Sequence, residues 1–160
     1  MSKSCIFVTI MNTDKQYYID KALDLFNQGY ACSQAVLMAF ASDFAIDETT
    51  AKRIASTFGG GMGRLREKCG ALTGGFMVLG LAYGNTIPTD MDTKLSAYRK
   101  VRELNTVLLE KHATTQCGEL LKKYVSKEDV KQRKHHAIIC TTMVADVTAQ
   151  VWEMLQINNT

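Results

Sequence analysis

Apolar positions recur at three- and four-residue intervals along most of the chain. Tyr18, Ala22 and Leu25 fall at i, i+4 and i+7 with Phe26 alongside, the spacing that puts side chains on one face of a helix. Gly29 follows where a left-handed C-terminal cap belongs. Leu37, Phe40, Ala41 and Phe44 repeat the template in a second helix. Asp47 is placed to cap a third, whose Ala51, Ile54, Ala55 and Phe58 form one stripe before Gly59-Gly60-Gly61 stops it. A fourth, apolar helix is expected from about Lys68 to Tyr83, with Pro88 in the loop beyond. Thr89 or Asp90 then opens a long amphipathic helix carrying Ala97, Val101, Leu104 and Leu108 on one face. A short helix from about Gln116 to Tyr124 comes next, and Ser126-x-x-Asp129 makes an approximate capping box. The last helix carries Ala137, Cys140, Val144, Val147, Val151 and Met154. No alternating strand pattern of similar strength appears outside Ile6 to Ile10. The expectation is an all-α fold, a compact single-domain helical bundle of about six or seven helices. It would span residues 13–157, with residues 1–12 as an N-terminal leader outside the domain.

The fourth helix is unusual in its glycines. Gly70 and Gly74 are four apart, as are Ala71 and Gly75, and Gly80 and Gly84 repeat the spacing. Each interior glycine costs about 0.5–1 kcal/mol relative to alanine. A smooth face that admits another helix backbone, or a bulky cofactor, is the physical reason to keep several. Either reading puts this helix at the centre of the bundle.

Composition narrows the class. Of 160 residues 46% are hydrophobic and 22% charged, which fits a folded domain with a real core and excludes a disordered chain. A formal net charge of +3 is too mild to imply nucleic acid as a partner. The apolar run Cys5 to Met11 is short for a signal core, and no stretch reaches about 18 uninterrupted apolar residues, so no membrane span is expected. The reading is cytoplasmic, where thiols stay reduced.

Five cysteines are too few for a disulfide framework and enough for one four-thiolate site. Cys32, Cys69 and Cys117 all fall at expected helix starts, where unpaired N–H groups and the helix dipole favour an anion. A thiolate there is expected to be acidic, and either reactive or ready to bind metal. Arg64, Arg66 and Lys68 upstream of Cys69 would add to that. Cys140 sits on the apolar stripe of the last helix. No C-x-x-C or C-x-x-C-H occurs, so zinc-ribbon, thioredoxin and c-type haem signatures are absent. From spacing alone, buried inert cysteines remain open as well.

Taken in order, Gly29-Tyr30-Ala31-Cys32-Ser33-Gln34-Ala35-Val36, Phe58-Gly59-Gly60-Gly61-Met62-Gly63-Arg64, Cys69-Gly70-Ala71-Leu72-Thr73-Gly74, Cys117-Gly118-Glu119-Leu120 and Cys140 resemble the C_GCAxxG_C_C family of redox-active proteins. The resemblance runs from about residue 13 to 155. It implies that Cys32, Cys69, Cys117 and Cys140 are the four family cysteines, with Gly74 as the closing glycine of the motif. The family's label spells Gly-Cys-Ala where this chain reads Cys-Gly-Ala. A similar module in split-Soret-type cytochromes implies an iron–sulfur centre, or another thiolate-bound metal, as a candidate cofactor. Cys5 lies outside the match.

Three functions follow. In the first, Cys32, Cys69, Cys117 and Cys140 converge on a metal or iron–sulfur centre for electron transfer, with Gly70, Gly74 and Arg64 beside the cofactor. In the second, a metal-free thiol–disulfide protein, Cys69 attacks and a neighbour such as Cys32 resolves. The third is a helical binding or assembly module with inert cysteines. A redox partner is expected for the first two, and a homodimer through an apolar helix face is compatible with all three. Gly59-Gly60-Gly61-Met62-Gly63-Arg64 could cradle an anion, yet it lacks the Gly-Lys-Ser/Thr ending of a phosphate loop and reads better as a helix stop with a tight turn. His135-His136 fall in a basic stretch, and His112 suits the C-terminal end of the long helix. The eight methionines read as core filling.

Overall fold

Among the described residues, seven helices of seven residues or more make up most of the structure: α1 (Lys15–Asn27), α2 (Cys32–Phe40), α3 (Glu48–Ser56), α4 (Gly70–Tyr83), α5 (Met91–His112), α6 (Cys117–Lys123) and α7 (Lys134–Gln156). This computed structural model describes residues 14–123 and 134–156, the side chains of 134–137 excepted. The leader, Cys5, the capping box at Ser126 and the side chains of His135 and His136 lie outside the described residues. No strand occurs among those described; one isolated antiparallel bridge joins Lys68 and Gln116.

Helix starts follow local chemistry. Asp14, Asp47 and Asp90 accept hydrogen bonds from the backbone N–H groups of Gln16, Thr50 and Thr93, at 2.9, 2.9 and 3.1 Å. Each satisfies a donor that the first turn leaves unpaired. At the end of α1, Gly29 takes φ +100° and donates to Phe26 O, while Tyr30 donates to Leu25 O. This pair of bonds is a Schellman stop.

Two expectations need correction. The second helix ends at Phe40 and passes into a 3-10 turn over Ala41–Phe44, which Ala45 closes at φ 53°. Apolar spacing alone does not separate the two helical forms. In α3, Ala51 and Ala55 are buried but Ile54 is 51% exposed. This helix packs mainly against α2, so a stripe two alanines wide is all that it buries.

Helix α4 occupies the centre, packed against α2, α5 and α7. A Cβ on Gly74 would meet the Ser33 carbonyl oxygen of α2 at 2.6 Å, and one on Gly75 would meet Val147 of α7 at 2.9 Å and Leu104 of α5 at 3.0 Å. These two glycines therefore serve helix–helix contact. Val144, Val147, Val151 and Met154 bury the inner face of α7. Among the described helices only Ile138–Gln156 is long and apolar enough to cross a membrane, and its buried core positions account for that composition. Tyr18 stacks on Phe40 at 4.7 Å, joining α1 to α2. Asp146 receives both Lys111 Nζ and His112 Nε2 at 2.8 Å, fastening α5 to α7. His112 thus has a specific partner beyond its place at the helix end. Of the methionines, Met38, Met143 and Met154 fill the core, whereas Met62 and Met91 are exposed.

Candidate four-cysteine site

Three helices begin at one place. Cys32 is the first residue of α2, Cys69 is the N-cap of α4, and Cys117 is the first residue of α6. Cys140 reaches the same region from the second turn of α7. All four thiols are free, and all four residues line one cavity of about 580 Å³.

Cys69 and Cys117 are placed by a short backbone clasp. Cys69 N–H donates to Thr115 O at 2.9 Å, Cys117 N–H to Glu67 O at 2.6 Å, and Gly118 N–H to Arg66 O at 3.0 Å. Lys68 Nζ buttresses the clasp by donating to Asn105 Oδ1 at 3.0 Å and Thr115 Oγ1 at 2.8 Å. On the other side, Ser33 Oγ donates to Ala55 O at 2.7 Å, and Ala31 N–H donates to Gln34 Oε1 at 2.9 Å. These bonds set the start of α2.

Glycines make the close approach possible. A Cβ on Gly70 would run into Cys32 Sγ and stand 2.9 Å from Phe58 O. One on Gly61 would lie 2.6 Å from Cys117 Cβ. Residues 60–66 form a rare left-handed run, with positive φ at Gly60, Gly61, Met62, Gly63, Arg64 and Arg66. Left-handed backbone costs a residue with a Cβ about 1–2 kcal/mol, so this segment is held by its surroundings. The glycine turn packs on both sides of the site, through Gly59 against Gly70, next to Cys69, and through Gly61 against Cys117.

The expected acidity of Cys32 and Cys69 is overturned. Burial pushes the Cys32 thiol up, against backbone N–H groups of Gly60 and Ser33 that pull it down. Burial, then the nearby Cys32 charge, raises Cys69 well above the ordinary thiol range. Cys140 is pushed up to about 12, first by burial and then by Cys32 and Cys117, with Arg66 acting in the opposite sense. Desolvation outweighs the helix termini here. Lys68 is engaged by Asn105 and Thr115, and the nearest cation contact is Arg66 Nη1 donating to Cys117 Sγ at 3.8 Å.

Gly70 and Arg64 line the cavity with the cysteines, whereas Gly74 does not, being buried against Ser33. Phe26, Ile139 and Met143 form its apolar wall. Phe26 read as part of the first helix's apolar face and Met143 as core filling, and no local sequence signal marks either of them, or Ile139, as part of a site. Among the described residues, no group of three or more His, Cys, Asp or Glu side chains is arranged to hold a metal ion. A site for one ion on converged thiolates is therefore not what these residues form.

Fold and site together define an all-α protein with four free cysteines around a common cavity. The family model described as "Putative redox-active protein (C_GCAxxG_C_C)" matches residues 30–154. The chain belongs to this family, and the match takes in Cys32, Cys69, Cys117 and Cys140. Nothing among curated proteins or solved structures matches it.

Proposed function

We propose that this chain is an electron-transfer protein whose working groups are Cys32, Cys69, Cys117 and Cys140, together holding a multi-atom thiolate-ligated centre, an iron–sulfur cluster first of all. One observation carries the reading: cysteines from four separate helices line a single cavity of about 580 Å³. Thiols that flank a cluster stand farther apart than those on one ion, because the cluster's own atoms lie between them. Such a centre supplies one-electron chemistry when bound. The chain's contribution is the donor set, three helix N-termini facing it, and an apolar wall that limits water. Thiols held neutral by burial release their protons as metal binds, which makes loading pH-dependent. We place this chemistry in a reducing compartment, the cytoplasm.

A metal-free thiol–disulfide function is the second reading, favoured by the lack of a three-donor ion site among the described residues. It ranks lower because burial raises Cys32, Cys69 and Cys140, away from the acidity an attacking thiol needs. Anaerobic purification with iron and sulfide separates the two. The first predicts visible absorption and bound iron that Cys69→Ser abolishes. A colourless, iron-free protein that still forms a reversible intramolecular disulfide selects the second. If it does neither, an assembly module with inert cysteines is left.

A further inference from the structure

Among the described residues the cavity wall is apolar or thiol-bearing almost throughout, and its charged side chains are Arg64 and Arg66. Neither guanidinium is ion-paired with a carboxylate among the described residues. Their placement is built into the backbone. Both residues adopt positive φ, 67° and 65°. Gly60 makes room for Arg64: a Cβ there would stand 3.0 Å from Arg64 Cγ, whereas Arg66 Nη1 at 3.6 Å would be in ordinary contact. Arg66 also reaches Cys117 Sγ at 3.8 Å, so its charge lies beside the thiols.

We propose that the reaction partner of the four-cysteine site is a small redox-active anion, drawn to the cavity by Arg64 and Arg66. This rests on the redox reading above and names the partner's charge class. Unpaired cations at the mouth of a low-dielectric cleft focus the field and raise the encounter rate with anions by about 10–1,000-fold at low salt.

The test uses protein purified anaerobically, reduced, and freed of excess reductant. It is mixed with hexacyanoferrate(III) or with hexaammineruthenium(III) across a range of ionic strength. One electron passes from the reduced site to hexacyanoferrate(III), giving hexacyanoferrate(II) with no atom transferred. If two thiols close to a disulfide instead, two electrons go to two equivalents and two protons to solvent. The expected result is a hexacyanoferrate rate that falls with salt and drops about tenfold at low salt in Arg64→Gln/Arg66→Gln. The ratio of the hexacyanoferrate rate to the hexaammineruthenium rate should fall in that variant, which separates attraction of the anion from any change in the site itself. Arg64→Lys/Arg66→Lys keeps the charge and should keep most of the rate, which controls for folding. A hexacyanoferrate rate and salt slope unaffected by the glutamines overturns the proposal while leaving the redox reading intact. Loss of rate in the lysine variant as large as in the glutamine variant also overturns it, since charge would then not be the cause. Failure to react with either reagent overturns the redox reading and this proposal together.

Discussion

Gly61 and Gly63 share a backbone conformation and differ in their surroundings, so a pair of alanine substitutions separates strain from crowding. Their φ values are 69° and 63°. A Cβ on Gly63 finds only Thr57 O at 3.6 Å, an ordinary contact. A Cβ on Gly61 meets Cys117 Cβ at 2.6 Å, Glu67 N at 3.0 Å and the Arg66 carbonyl carbon at 3.1 Å. Gly63→Ala should cost about 1–2 kcal/mol, the left-handed penalty alone. Gly61→Ala carries the same penalty plus about 1–3 kcal/mol for overpacking. The neighbours are backbone atoms and the stem of a clasped residue, which cannot swing away. The gap between the variants is thus about 1–3 kcal/mol, or about 2–4 °C in midpoint per kcal/mol for a chain of this size. Urea unfolding followed by circular dichroism of the purified reduced protein measures it. Equal destabilisation would refute the close packing of the glycine turn on Cys117, and with it this account of how α6 is docked at the site.

Other substitutions test the same geometry elsewhere. Gly80 has nothing within 4 Å of its Cβ position, so Gly80→Ala should gain about 0.5–1 kcal/mol in urea unfolding. Gly74→Ala should lose stability, because Ser33 O at 2.6 Å turns the propensity gain into overpacking of about 1–3 kcal/mol. Lys68→Met removes both donations to Asn105 and Thr115 and should cost about 1–3 kcal/mol; an unchanged urea midpoint would rule out the clasp as a stabilising element. In metal-free protein, Cys140 rises from 9.0 to about 12, so the folded state holds its proton more tightly than the unfolded chain. Stability is then fully present below pH 9 and is lost progressively as pH climbs from 9 towards 12. Urea midpoints measured over that range should fall, less steeply in Cys140→Ala; a flat profile would contradict the burial of this thiol.

Features set by neighbours in sequence were legible from the residues. The caps at Asp47 and Asp90 and the left-handed stop at Gly29 depend on two or three adjacent positions, and periodicity found the helices they bound. The 3-10 turn over Ala41–Phe44 was not legible, since it shares the apolar spacing of the helix before it. The clasp between residues 66–69 and 115–118 was hidden for a different reason. It pairs two segments too short for a strand pattern, and its bonds are between backbones, which carry no side-chain signature. The four cysteines were legible as an ordered set, but their common cavity depends on that clasp.

The acidity of Cys32 and Cys69 was misread through magnitude. A helix N-terminus stabilises an anion by about 0.3–1 kcal/mol at an exposed site, and sequence spacing correctly put three cysteines at such termini. Spacing carries no information on depth. Each tenfold change in proton affinity is about 1.4 kcal/mol, and burial raises even Cys69, which sits at the N-cap itself. Depth therefore wins over dipole at Cys32 and Cys69. Among the described residues the cations on the wall are Arg64 and Arg66, and Arg66 opposes the upward shift of Cys140. That is why the arginine variants and the loading experiment probe the same balance from its two sides.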